Sequence, residues 1–154
     1  MTLNKTDFLI IGSGIAGLTF ALKVAEFGDV ALVTKKGIMD SNTSHAQGGI
    51  ASVFGKLDSF DLHIQDTLAS GDGLCNRDVV EMVVKNGPDR IRELIDLGVH
   101  FNLRKKRSSL SESPGIEPDL DLGREGGHSQ KRIVHAHDMT GKEVESVLVE
   151  HVKN

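Results

Sequence analysis

Phe8-Leu9-Ile10-Ile11-Gly12-Ser13-Gly14-Ile15-Ala16-Gly17 is the stretch that decides the fold of this 154-residue chain. Its four leading apolar residues form a continuous run, which predicts a strand buried on both faces. Gly12, Gly14 and Gly17 follow at G-x-G-x-x-G spacing. In that pattern the first glycine permits a tight turn, the second admits a pyrophosphate to the backbone, and the third lets helix and strand pack closely. Over residues 14–27, Ile15, Leu18, Leu22 and Ala25 recur at helical spacing, and Gly28 reads as the stop. Val30-Ala31-Leu32-Val33-Thr34 is a second strand. A strand, glycine turn, helix and strand within about thirty residues make a βαβ unit with parallel strands. The fold class is therefore α/β, Rossmann-like, with a parallel sheet. The backbone of Gly12, Ser13, Gly14, Ile15, Ala16 and Gly17 is the candidate cradle, because a helix N-terminus offers unpaired N–H groups and positive dipole to phosphate.

A dinucleotide fold usually ends its second strand on an acid that binds ribose hydroxyls. Here Thr34-Lys35-Lys36 stands instead. Lys35 fits a phosphate-bearing ribose, and equally a flavoprotein that handles the adenosine ribose through backbone, hydroxyl and lysine contacts. The next segment, residues 35–52, is rich in Gly, Ser, Thr and Asn and has no sustained period, so it reads as a long functional loop.

Further along, helical patterns cover residues 59–70 and 78–86. Gly87-Pro88 interrupts the second, and Pro88 reads as the first residue of another helix that runs to Leu97 and stops at Gly98. Residues 99–103 suggest a short strand, residues 104–123 a variable polar loop, and residues 132–136 another strand. Thr140-Gly141-Lys142-Glu143 has capping-box spacing, with Val144, Val147, Leu148 and Val152 continuing as an amphipathic helix.

Composition excludes several classes. A net charge of −4 argues against a nucleic-acid partner. The basic cluster Arg104-Lys105-Lys106-Arg107 precedes a Ser/Pro/Gly stretch and reads as a solvated loop. No run approaches the ~18 apolar residues of a membrane span. The N-terminus lacks a secretory pattern and Cys75 has no cysteine partner, so a cytoplasmic location is expected, with Cys75 as a packing residue. His135-Ala136-His137 places two imidazoles for one strand face, but nothing else stands at metal-ligand spacing, and no metal site is expected. His63, His100 and His151 read as scattered surface or half-buried residues.

Two segments carry a resemblance. Ser41-Asn42-Thr43-Ser44-His45-Ala46-Gln47-Gly48-Gly49 resembles the flavoprotein family that contains L-aspartate oxidases and the flavoprotein subunits of succinate dehydrogenase and fumarate reductase. In that family a hydroxyl-rich segment leading into A-Q-G-G lies along FAD. The resemblance thus implies FAD as cofactor, contacted by Asn42, Thr43, Ser44, His45, Ala46, Gln47, Gly48 and Gly49 besides the glycine turn and Lys35. Asn42 matches the position at which the dehydrogenase and reductase subunits carry the histidine that bonds covalently to flavin. An amide is no nucleophile for that bond, so noncovalent FAD is implied.

Arg124-Glu125-Gly126-Gly127-His128-Ser129 is similar to the R-E-G-G-H-S segment of L-aspartate oxidases. There the glutamate orients the substrate through its amino group, which assigns Glu125 to substrate orientation and matches a carboxylate with an ammonium. His128 is either a substrate-side residue or a hydrogen-bonded loop histidine.

The resemblance implies oxidation of L-aspartate to iminoaspartate in NAD biosynthesis, with oxygen or fumarate as electron acceptor and quinolinate synthase as the pathway partner. It also implies that residues 1–154 are the N-terminal part of the FAD-binding domain, without the capping and C-terminal helical domains. The chain is then expected to be inactive alone. A dicarboxylate dehydrogenase flavoprotein, disfavoured by Asn42 and Glu125, and a nucleotide-binding module acting with a partner chain are the other readings.

Overall fold

The computed structural model describes residues 5–104, 119–137 and 139–153. Strand β1 (Phe8–Ile11), helix α1 (Ile15–Val24) and strand β2 (Val30–Val33) form the expected unit, and β1 pairs parallel to β2 with Phe8 opposite Val30 and Ile11 opposite Val33. The ladder runs one residue further, since the Gly12 N–H donates to the Val33 carbonyl at 2.8 Å. Burial differs from the expectation. Leu9 and Ile11 are 61% and 82% exposed, so β1 buries only the face carrying Ile10, against Ala21 and Val24 of α1. The helix ends at Val24, earlier than its apolar period, and Gly28 lies beyond it against the Asp7 carboxylate rather than acting as its stop.

The segment expected as one long loop contains a capped turn, α2 (Asn42–His45), and a short strand, β3 (Ile50–Ala51). Ser41 supplies the cap by accepting the Thr43 N–H on its hydroxyl at 3.0 Å. After it come α3 (Phe60–Ser70), capped by Ser59, and α4 (Arg77–Asp96), capped by Asn76. Helix α4 passes through Gly87-Pro88 without the expected break. Val80, Val84, Pro88, Ile91 and Leu94 form one buried stripe along it. An interior proline costs a helix ~3 kcal/mol, whereas each large apolar side chain buried contributes ~1.5–3 kcal/mol. Packing of the stripe therefore outweighs the break. Gly98, at φ 99°, ends the helix as expected.

Strands β4 (Leu122–Gly123) and β5 (Ile133–Val134) complete an antiparallel sheet of order β3-β5-β4, which the sequence did not suggest. Its β4 falls in the segment expected to be a polar loop. Residues 99–103 form no regular strand: an isolated antiparallel bridge joins Leu103 to Leu120, and the Asn102 N–H donates to the His135 carbonyl. Lys105, Lys106 and Arg107 of the basic cluster lie outside the described residues, and Arg104 approaches Asp119 at 3.8 Å. The last helix, α5 (Thr140–Lys153), forms without the capping box. Thr140 lies inside the helix and accepts the Ala136 N–H on its hydroxyl, while Glu143 accepts the His100 N–H. Leu18 of α1, Ile91 and Leu94 of α4, Val134 of β5, and Val144 and Leu148 of α5 meet in the main core.

Candidate functional site

The core packing brings the glycine turn and the hydroxyl-rich turn together. Gly12 has φ 110°, a conformation that side chains rarely adopt. Behind it, a Cβ on Gly17 would overlap the Gly12 carbonyl, so the third glycine is what lets α1 approach the end of β1. Thr43 closes the junction by accepting the Ile15 N–H on its hydroxyl at 3.0 Å. A Cβ on Gly14 would lie 3.4 Å from that same hydroxyl and 3.9 Å from the Ser41 hydroxyl. Ser13 is buried and donates to the Thr34 hydroxyl at 3.3 Å. Helix α1 has no side-chain cap from Gly14 and no acid in its first turn. The N–H groups that follow Ile15, the open glycine surface and the surrounding hydroxyls are the donor set that a dinucleotide pyrophosphate needs.

The second contact joins residues far apart in sequence. A Cβ on Gly48 would lie 3.6 Å and 3.9 Å from the two Glu125 carboxylate oxygens. The acid of the R-E-G-G-H-S segment thus stands beside the A-Q-G-G backbone. Gly49 points elsewhere: its Cβ would lie 2.5 Å from the Val134 carbonyl oxygen, so this glycine serves the β3–β5 pairing.

Beneath the Glu125 loop lies a charge network. Arg132 is fully buried and makes bonds of 2.8 and 2.7 Å to the two oxygens of Asp58, and one of 2.5 Å to Asp66. Asp66 also accepts the Ser129 N–H and hydroxyl, each at 2.8 Å. Burial raises the Asp66 pKa, but the Ser129 N–H, Arg132 and the Ser129 hydroxyl outweigh it and bring the group down to about 2. The Asp58 bonds hold the Arg132 pKa above its ordinary value against burial. His63, expected at the surface or half-buried, is buried with its ring 5.6 Å from that of His128, edge to face. Burial, and then the neighbouring Arg132 and His128, push the His63 pKa down. The loop closes on itself as Arg124 Nε donates to the His128 carbonyl at 3.0 Å and the His128 N–H to that of Glu125 at 3.4 Å.

The sequence of residues 7–154 matches the family described as FAD binding domain. The chain belongs to that family. FAD is accordingly the dinucleotide of this fold. The FAD-binding chain is 49% identical over 146 residues to L-aspartate oxidase 2-a, chloroplastic, of Nicotiana tabacum, covering 95% of this chain and 21% of the relative. It is 43% identical over 149 residues to L-aspartate oxidase of Yersinia pestis, covering 97% of this chain and 27% of the relative. Among solved structures, a chain of E. coli quinol fumarate reductase superposes with a TM-score of 0.83 at 32% identity, over 99% of this chain and 25% of that one. The chain thus spans about a quarter of the length of these relatives.

Of the residues predicted for FAD, Gly12, Ser13, Gly14, Ile15, Gly17, Thr43 and Ser44 converge on the junction of α1 and α2, where the Ser44 hydroxyl donates to the Ser41 carbonyl. Ala16, Asn42, Ala46 and Gln47 are exposed around it. Lys35 is exposed just past β2, and His45 turns toward Asp40, 3.8 Å away. His135 and His137 do not share one strand face. Asn102 meets the ring of the first and the N–H of the second, whose φ is 47°. Cys75 packs beside the cluster of Ile64, Val80 and Val84, as expected. Sequence reasoning missed Ser41 as a cap and missed Asp58, Asp66 and Arg132 altogether. A serine before a hydroxyl-rich turn was a usable signal for the first. No local signal links Arg132 to carboxylates 66 and 74 residues away. Among the described residues no helix is long and apolar enough to cross a membrane.

Proposed function

We propose that this chain is the N-terminal part of the FAD-binding domain of an L-aspartate oxidase, which oxidises L-aspartate to iminoaspartate. The observation that carries the reading is the Glu125 carboxylate standing beside Gly48. An acid there pairs with the ammonium of an amino acid and finds no partner in succinate or fumarate. Similarity to L-aspartate oxidases over 95% of the chain supports the same substrate.

The Gly12–Gly17 turn and the α1 N-terminus hold the pyrophosphate, and the segment from Asn42 to Gly48 follows the cofactor toward its ring. Bound there, FAD supplies the acceptor for the two electrons removed from the amino acid. Asn42 offers no nucleophile for a covalent link, so the cofactor is held noncovalently. Glu125 orients the amino group, and the network of Arg132, Asp58 and Asp66 keeps its loop in place. Oxygen or fumarate takes up the electrons, and quinolinate synthase uses the product. A cytoplasmic location belongs to this reading; the Nicotiana relative is chloroplastic.

In the full-length protein, Glu125→Gln should lower kcat/KM for aspartate at least tenfold more than for fumarate reduction. Equal losses would assign Glu125 to the fold or the flavin, and would favour a dicarboxylate reductase like the fumarate reductase that superposes on this chain.

A further inference from the structure

Arg132 settles more than the position of the loop. Its Nη1 lies 3.1 Å from His128 Nδ1. A guanidinium has donors only, so His128 Nδ1 must accept, and the proton of the neutral ring belongs on Nε2. That assignment cannot relax easily, because Arg132 is fully buried between Asp58 and Asp66, and His63 packs against the His128 ring. His128 Nε2 makes no hydrogen bond among the described residues and is not one of the buried unpartnered atoms. His128 is itself half-buried, lining a concavity with Asp66, Thr67, Ser70, Gly126 and Gly127. The open edge of the ring is therefore an N–H donor at the end of the loop that carries Glu125.

We propose that His128 is a substrate-binding residue whose Nε2–H donates to a carboxylate oxygen of the dicarboxylic amino acid, and that Arg132 is the positioning residue that fixes this tautomer. The assignment rests on the function proposed above. Glu125 and His128 then divide the recognition: the acid takes the ammonium and the imidazole takes an acceptor oxygen of the same molecule. Asp66 turns its carboxylate to Ser129 and Arg132, but with Asp58 on the same guanidinium the group keeps one net negative charge, so the second contact depends on the direction of the Nε2–H bond. A neutral donor held at one angle discriminates by geometry instead of by net attraction.

The test uses two amide substitutions in the full-length flavoprotein. The amide of glutamine reaches the place of histidine Nε2, and that of asparagine the place of Nδ1. His128→Asn should keep the Arg132 contact and the melting temperature while raising KM for aspartate tenfold or more, with kcat changed far less. His128→Gln should recover most of that KM loss while melting lower. In protein labelled with 15N-histidine, the resonances that vanish in His128→Gln should show the Nε2–H tautomer. An Nδ1–H pattern, or a KM that His128→Asn leaves unchanged while aspartate is still oxidised, would overturn this inference alone. Absence of aspartate oxidation by the unsubstituted protein would overturn the proposed function together with it.

Discussion

Gly48 and Gly49 are adjacent, and both match the cofactor-binding segment of the family, yet the structure gives them opposite duties. A methyl group at residue 49 would lie 2.5 Å from the Val134 carbonyl oxygen and closer still to the Ile133 side chain. Ile133 and Val134 are buried members of the central strand of the antiparallel sheet, so neither can yield without opening the β3–β5 pair. Overpacking of this kind costs ~1–3 kcal/mol. For a domain of this size each 1 kcal/mol moves the melting temperature by roughly 2–4 °C, so Gly49→Ala should melt about 2–12 °C lower. At residue 48 the nearest atom to a new methyl is a Glu125 carboxylate oxygen, 3.6 Å away, which is ordinary contact. Gly48→Ala should therefore hold stability within about 0.5 kcal/mol. It places a methyl group between the Glu125 carboxylate and the flavin segment, so KM for aspartate should rise severalfold. Thermal melts of the FAD-free chain, followed by circular dichroism, separate the fold from cofactor linkage, and steady-state oxidation by the full-length flavoproteins carrying the same substitutions reads the site. Equal melting temperatures for the two variants, or a larger loss for Gly48→Ala, would refute this division.

Three further outcomes are expected. Arg132→Met should destabilise by ~3–5 kcal/mol, because it leaves the Asp58 and Asp66 carboxylates uncompensated in the interior; denaturant unfolding reads the loss. Asp66, held at about 2 against an ordinary 3.8, should stabilise the fold above pH 3.8, with that contribution lost as pH falls toward 2. At 1.36 kcal/mol per pKa unit it amounts to ~2 kcal/mol, and Asp66→Asn should flatten this acid limb in a series of melts against pH. Acid precipitation of the full-length holoprotein should release the flavin into solution, whereas yellow colour retained by the washed pellet would contradict noncovalent binding at Asn42.

What the sequence made legible follows the range of each interaction. The βαβ unit was readable because its signals lie within one short stretch: an apolar run, three glycines and a helical period, each with its own local cause. Helix α3 was readable for the same reason, from its helical period, although its Ser59 cap was not singled out. The two-faced burial expected of β1 failed because a continuous apolar run records what a strand can bury, not which described element covers it. Pro88 misled because local propensity was set against a stripe of buried contacts supplied by other elements. The capping box at Thr140 failed for two reasons: Ala136, just before the helix, takes the Thr140 hydroxyl, and His100, from elsewhere in the fold, takes Glu143. In the site, glycines announced where backbone comes close. They did not announce to what, and Gly48 and Gly49 read alike until Glu125 and Val134 stood beside them.

The buried charges bear on how a loop with two consecutive glycines would serve the recognition proposed for Glu125. Ordering a backbone residue costs ~1–2 kcal/mol, and glycine loses more freedom than other residues, so Gly126-Gly127 alone favours a wandering Glu125. Replacing buried ion pairs by apolar residues of similar volume is often neutral or stabilising, so stability gives little reason to keep Arg132 between two carboxylates. Direction gives a reason. The guanidinium holds Asp58 from the segment before α3, Asp66 from within α3, and His128 from the loop itself, and Asp66 holds Ser129 in turn. Apolar packing has no such angular demand and would let the loop settle in several registers. With charge-assisted bonds contributing ~1.5–3 kcal/mol each, the network is of the size needed to offset the loop's entropy. The A-Q-G-G segment can then meet Glu125 in one arrangement, fixed from below by Arg132, Asp58 and Asp66.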